Sequence, residues 1–357
     1  MPLDGWKERL FRQYLYWRCR PERVKKRLSA LVMEGREAPP VKGRRLHVAA
    51  LQVEVRLFKD PLEYVDETHR RVREAAALGA HVVAFPEYNN LSLLGMLPGI
   101  AQMEEAIPSE ESDMAVETDG RSITVADVVH YIGPVMAPFL DTLYSALAAT
   151  YGIYLMAGSF LLPHDRKVVN RAFLYGPRGQ LIGTQDKVHL MPIELEWGVA
   201  VGTEFALFHT RLGTIAAPVC MDATYFETFR ILELQGVDIV IIPIANPEPY
   251  NPWMALRGIW PRVQECPVYG VKSALVGSLL GFKFTGRAGI FAPAELTPGG
   301  SGILDIVPST VEEGMAFAEL DLSALDNLRR EHPWRDSNPA LYRHYFPRIY
   351  QSILRSK

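Results

Sequence analysis

From residue 46 onward the chain alternates between two hydrophobic rhythms. Short apolar runs are separated by longer stretches in which apolar side chains return every three or four positions, the periods of strands and of helices. The spacing predicts strands over 46–53, 81–85, 153–158, 238–242 and 268–273, and helices over 61–78, 137–151, 225–235 and 253–265. Pro61 suits a first helical turn and Gly79 a helix end. Residues 172–175 and 181–184 flank Gly176-Pro177-Arg178-Gly179 and read as a hairpin, as do 205–209 and 214–219 around Gly213. Strands over 288–292 and 316–320 complete the set. Strands alternating with helices, with hairpins added, imply an α/β layered sandwich built on a mixed sheet.

The first 45 residues follow a different pattern. Leu3, Trp6, Leu10, Tyr14 and Trp17 recur as one helical face, and Val24, Leu28 and Leu31 continue it beyond Pro21. Such an arm is expected to pack on its own body or on a second subunit. Arg9, Arg12, Arg18 and Arg20 among the aromatics also allow residues 1–38 to lie on an anionic membrane surface. Pro39-Pro40 and Gly43 read as a linker. At the other end, residues 323–357 are rich in Arg, Tyr and Pro and look like a tail that wraps a neighbouring subunit.

Charge sharpens this division. Residues 1–45 hold 13 Lys/Arg and 5 Asp/Glu, a net of +8, whereas 46–357 hold 25 and 36, a net of −11. An acidic body carrying a basic leader speaks against nucleic acid as the main partner. No uninterrupted apolar run reaches the ~20 residues of a membrane helix, and 10–17, broken by Arg12 and Gln13, lack a secretory pattern. Cys19, Cys220 and Cys266 form neither a disulfide framework nor a zinc spacing, so a reducing cytoplasm and no metal are expected.

Candidate chemistry sits at the ends of three apolar runs. They are His81-Val82-Val83-Ala84-Phe85-Pro86-Glu87, then Asp186-Lys187-Val188-His189-Leu190, then Ala216-Ala217-Pro218-Val219-Cys220-Met221-Asp222. Strand carboxyl ends are where α/β sheets place ligands. Taken singly, Cys220 reads as a buried inert thiol, Lys187 as a paired surface amine, and Glu87 equally as a cap or a base. Together they are the parts for attack on a carbon–nitrogen bond. A thiolate needs a base for its proton, a cation where negative charge develops, and a proton source for the leaving amine.

At these positions the chain resembles the nitrilase superfamily of carbon–nitrogen hydrolases over residues 46–322. Phe85-Pro86-Glu87 matches the glutamate motif, Asp186-Lys187-Val188-His189-Leu190 the lysine motif, with Asn170-Arg171-Ala172 and the glycine turn leading into it, and Cys220-Met221-Asp222 the nucleophile motif. Arg262 and Glu265 fall on an Arg-x-x-Glu pair, and 286–293 resembles a Gly-x-Ser-x-Ile strand with Ala288 in place of serine. The resemblance implies a four-layer α-β-β-α sandwich, a Glu87–Lys187–Cys220 triad, no cofactor, and a homodimer or larger oligomer. It also implies a second glutamate after the lysine motif. Glu194 is preferred, with Glu196 as the alternative, because Glu196 beside Trp197 reads as its packing neighbour. Tyr88, Met221, Asp222 and Asn246 are the expected substrate contacts.

Nitrile-cleaving members place Trp-Glu after the cysteine, and amidase-like members an aromatic residue or Arg followed by Asp. Met221-Asp222 therefore favours a carboxylic amide or N-carbamoyl substrate. The rivals are a nitrilase proper, an N-acyltransferase using the same thioester, and a non-catalytic binding protein on the same fold. The long interval from Glu87 to Ile153, with an insertion over about 91–135, holds Leu91, Leu93, Leu94, Met96, Leu97, Met103, Met114 and Met136 around acidic Glu104, Glu105, Glu110, Glu111 and Asp113. It reads as a surface insertion with its own small core, or as a lid for a bulky acyl group.

Overall fold

A computed structural model of the chain describes residues 5–32, 39–106, 116–118, 121–256, 258–331 and 338–355. Two leader helices, α1 (Gly5–Arg18) and α2 (Pro21–Leu31), precede β1 (Arg45–Glu54), α3 (Pro61–Ala77) and β2 (Val82–Ala84). The insertion contributes a 3-10 turn at Leu91–Met96, α4 (Ile100–Ala106) and the small hairpin β3 (Val116–Thr118)–β4 (Arg121–Ile123). Then come α5 (Val125–Tyr151), β5 (Tyr154–His164), β6 (Lys167–Tyr175), β7 (Leu181–Asp186), α6 (Pro192–Glu196), β8 (Phe208–Thr210) and β9 (Gly213–Ala216). The remainder is α7 (Phe226–Leu234), β10 (Ile239–Ile244), α8 (Pro252–Leu256), α9 (Ile259–Glu265), β11 (Tyr269–Leu279), β12 (Phe282–Phe284), β13 (Gly289–Phe291), β14 (Ile303–Ile306), β15 (Gly314–Asp321), α10 (Leu322–Glu331) and α11 (Pro339–Arg355).

β1 shows why these strands are buried on both faces. Leu46, Val48 and Ala50 turn toward the apolar cluster that β10, β11 and β13 share, while Ala49, Leu51 and Val53 turn toward α3 and α5. The strand order is β7-β6-β5-β2-β1-β11-β10-β9-β8. The central neighbours β5, β2, β1, β11, β10 and β9 pair in parallel, and β6, β7, β8 and β15 add antiparallel partners. Tyr64, Val72, Phe139 and Leu143 of α3 and α5 cover one side, and Phe229, Leu232, Ile259 and Val263 of α7 and α9 cover the other. Helices thus flank the strand layers on both outer faces, as a four-layer α-β-β-α sandwich requires.

Three expectations need correcting. The helix expected from 137 starts at Val125, because Thr124 and Asp127 form a reciprocal capping box and Val129, Ile132, Val135 and Met136 are buried. Pro134 and Pro138 inside it read as breakers in sequence, yet burial along the helix outweighs them. Its 27 residues are long and apolar enough for a membrane crossing, but twelve of them are buried against the body. The helix expected over 253–265 is two short ones on either side of Gly258.

The leader's face is the third correction. Val24 and Leu28 of α2 are buried as expected, but α1 docks through Phe11, Leu15 and Cys19, leaving Trp6, Leu10, Tyr14 and Trp17 exposed. Leu3, Glu110, Glu111, Asp113 and Met114 lie outside the described residues. Within the insertion, Met103 packs against the apolar cluster to which Tyr88, Val129 and Leu280 belong, and the Glu104 carboxylate accepts the Leu280 N–H beside the β11–β12 turn.

Candidate active site

β2 ends at Ala84 and delivers Phe85-Pro86-Glu87 to the edge of the sheet's parallel core. The approach is tight: at Gly158 on β5 (φ 79°) a Cβ would lie 1.9 Å from the Pro86 carbonyl oxygen, so only glycine fits there. The Ser273 hydroxyl, from β11, donates to the Phe85 oxygen at 2.7 Å and fixes the same turn. Lys187 follows β7, and Cys220 opens a 3-10 turn after β9.

These three residues meet in the interior. Lys187 Nζ lies 2.9 Å from Glu87 Oε1 and 2.7 Å from Glu194 Oε2, with all three side chains buried. Glu87 Oε1 also accepts from Asn170 Nδ2 at 2.8 Å, and its Oε2 accepts from the Ala245 N–H at 2.9 Å. The Cys220 thiol lies against the Glu87 carboxylate and the Ala245 N–H, and 3.6 Å from Asn246 Oδ1. Cys220 and Tyr88 have positive φ, 46° and 55°. Such conformations cost non-glycine residues on the order of 1–3 kcal/mol and persist only where the surroundings hold them.

The surroundings do hold Cys220. Asp222 accepts the Val219 N–H at 2.8 Å, the His189 N–H at 2.7 Å and a bond from His189 Nδ1 at 2.8 Å. Expected among the substrate contacts, Asp222 is instead a fully buried clamp that ties the cysteine turn to the segment after Lys187. Arg262 adds a bond to the Thr224 oxygen at 2.9 Å and pairs with Glu265, which gives the Arg-x-x-Glu motif a structural task. Tyr88 also departs from expectation, since its hydroxyl is committed to Glu194 Oε1. Met221 is half-buried and Asn246 exposed, so both stand where a substrate could reach them.

The choice between the two glutamates is resolved by burial. Glu194 is buried, holds Lys187, accepts from the Met191 N–H at 2.8 Å and takes bonds from Tyr88 and Asn170, whereas Glu196 is exposed. Asn170, which donates to both glutamates, matches the family motif but was not among the expected site residues. A buried amide in the apolar run Val168-Val169 of β6 was the available signal, because such a group needs partners. The Ala245 N–H left no trace in side-chain pattern.

Burial raises the pKa of Glu87 above the usual carboxylate range; Lys187 pulls the other way, and Glu194 adds to the rise. Burial likewise pushes the Cys220 thiol well up, with the Glu87 charge reinforcing it. Burial alone would lower Lys187, but Glu87, Cys220 and Glu194 outweigh it and keep the amine charged. Burial also pushes the other two thiols, Cys19 and Cys266, each up to about 12.

Residues 47–330 match the family model described as carbon–nitrogen hydrolase. The chain belongs to the carbon–nitrogen hydrolase family. Among curated relatives of this hydrolase-family chain, a probable hydrolase, YhcX, of Bacillus subtilis is 24% identical over 80% of the chain and 52% of its own length. A nitrilase of Pyrococcus abyssi is 31% identical over 51% of the chain and 65% of its own length. The ω-amidase NIT2 of Danio rerio is 24% identical over 81% of the chain and 93% of its own length. The chain therefore spans about half the length of the Bacillus relative and just under two thirds of the Pyrococcus one.

Solved structures agree on the fold of the family. A carbon–nitrogen hydrolase from Helicobacter pylori superposes with a TM-score of 0.64 at 17% identity, covering 86% of the chain and 98% of its own. A mutant amidase from Nesterenkonia, with an acetamide moiety added covalently at its active-site cysteine, gives 0.58 at 18% identity, covering 86% and 100%.

Proposed function

We propose that the protein hydrolyses a non-peptide carboxylic amide or N-carbamoyl compound through a Cys220 thioester. The observation that carries this is a buried carboxylate, Glu87, held by Lys187, Asn170 and the Ala245 N–H against the Cys220 thiol. Its raised pKa suits a group that must take and return a proton near neutral pH. Glu87 removes the thiol proton as sulfur attacks the carbonyl carbon. Lys187 Nζ and the N–H of Met221 hold the oxyanion. Glu87 then gives its proton to the nitrogen, the carbon–nitrogen bond breaks, and the amine leaves. Water deprotonated by Glu87 attacks the thioester, the acid is released, and the thiol takes its proton back. Glu194 keeps Lys187 charged and aimed, and Tyr88 and Asn170 keep Glu194 in place.

The amidase relatives and Met221-Asp222 support amides, and the Pyrococcus relative supports testing nitriles alongside. Exposed Phe226, Ile231 and Leu234 on α7, and α11 anchored near them by the bond from Tyr350 to Glu227, supply a surface for a homodimer. All three thiols are free, which suits a reducing cytoplasm. The test is intact mass spectrometry of the enzyme exposed to mixed amides and nitriles. An acyl adduct from amides, absent in Cys220→Ala, is expected. Acid release from nitriles but from no amide would overturn the amide reading, and turnover by Cys220→Ala would overturn the nucleophile.

A further inference from the structure

Among its described residues, the leader helix α1 meets the body along one side. The Phe11 ring stacks on Tyr131 of α5 at 6.4 Å, Leu15 is buried, and Cys19 Sγ lies 3.9 Å from Met96 Sδ at the end of the 3-10 turn that begins the insertion. The opposite side, at four- and seven-residue steps, carries Trp6, Leu10 and Trp17, which are 61%, 55% and 50% exposed. Two tryptophans and a leucine on this outer face thus leave half or more of their surface in water.

The charge around this ridge chooses its occupant. Residues 5–31 hold nine Lys/Arg and two Asp/Glu, a net of +7, so the rest of the chain carries −10. Arg9, Arg12, Arg20, Lys25 and Lys26 are exposed beside the ridge, and guanidinium groups lie over its aromatics: Arg23 4.7 Å from the Trp17 ring centroid and Arg12 5.9 Å from that of Tyr16. Tryptophan and tyrosine with arginine on an amphipathic helix are the chemistry of a membrane–water interface, where rings sit at headgroup depth and cations meet anionic lipid. A two-fold contact with a second copy would instead set arginine against arginine.

We propose that the Trp6–Leu10–Trp17 face of α1 docks on anionic phospholipid surfaces, holding the insertion beside the site close to the bilayer. The proposal is independent of the hydrolase reading. It is tested by sedimenting the full chain with vesicles of neutral phosphatidylcholine and with vesicles containing about one third phosphatidylglycerol. The protein is expected to pellet with the anionic vesicles, and to be released as salt rises to ~0.5 M.

Trp6→Gln, Leu10→Gln and Trp17→Gln combined should weaken partitioning at least about tenfold, and Arg9→Glu with Arg12→Glu should do the same. Both variants should keep the wild-type circular dichroism and melting point, since none of these side chains is buried. Tyr345→Gln with Phe346→Gln, on the other exposed aromatic helix, should bind as wild type. Wild-type protein that stays in the supernatant, equal pelleting by the triple variant, or a loss of dimer rather than of vesicle binding would each overturn the proposal.

Discussion

Replacing Glu194 by Gln is the most informative change, because it keeps the side chain's shape and removes one charge from the interior. With Lys187 Nζ 2.7 Å away, Coulomb attraction at an effective dielectric of ~20 is about 6 kcal/mol. Relief of the carboxylate's own desolvation returns several kcal/mol of that, leaving a net loss of about 2–4 kcal/mol. If the loss falls on the transition state, where Lys187 faces the oxyanion, kcat drops about 30- to 1000-fold at 1.36 kcal/mol per decade. The amide nitrogen of Gln would also face the Met191 N–H and the Lys187 ammonium in place of Oε2, or the Asn170 amide and the Tyr88 hydroxyl in place of Oε1, so either orientation sets donor against donor.

A second consequence has a definite sign. The Glu194 charge helps raise the pKa of Glu87, and without it Lys187 pairs with Glu87 alone. The Glu87 pKa must therefore fall, and the acidic limb of the kcat/KM profile must move to lower pH. Steady-state amide hydrolysis between about pH 4 and 9 reads both effects, and Glu196→Gln serves as the exposed control. Activity of Glu194→Gln within threefold of wild type with an unmoved acidic limb would refute the role given to Glu194. A matching loss in Glu196→Gln would refute the assignment between the two.

Two further changes test the scaffold. Asp222→Ala removes the acceptor for three backbone N–H groups (Val188, His189 and Val219) and the His189 ring, and should destabilise the fold by about 2–4 kcal/mol while lowering kcat more than it raises KM. Urea unfolding and steady-state kinetics check this, and a variant altered only in KM would restore Asp222 to the substrate contacts. Gly158→Ala sets a methyl group 1.9 Å from the Pro86 oxygen at a positive φ, so the turn bearing Glu87 must shift. A drop in melting point together with a loss of activity is expected, and a wild-type melting curve would contradict the close approach.

What could be read in the sequence divides along a physical line. The strands of the sandwich were legible because burial on both faces writes itself as continuous apolar runs, as in 238–242, and Glu87 and Cys220 were legible because each interrupts such a run at its end. Lys187 follows the mixed strand 181–186 and was legible only with them. The start of α5 was not, since two prolines signal a break locally while the burial that overrides them comes from residues far away in sequence. Asp222 and Tyr88 show the same limit inside the site. A polar residue beside a nucleophile looks the same in sequence whether it faces substrate or holds the backbone, and only the partners tell the two apart.

The leader makes the point in reverse. Trp6, Leu10, Tyr14 and Trp17 are the more hydrophobic face, which periodicity left open to the body, a second subunit or a membrane, and the body accepts the smaller Leu15 and Cys19 instead. Hydrophobic spacing reports that a face will be covered, not by what. On a helix with arginines at both edges of its larger apolar face, the cover we propose, an interface of lipid and water, suits both ring and charge.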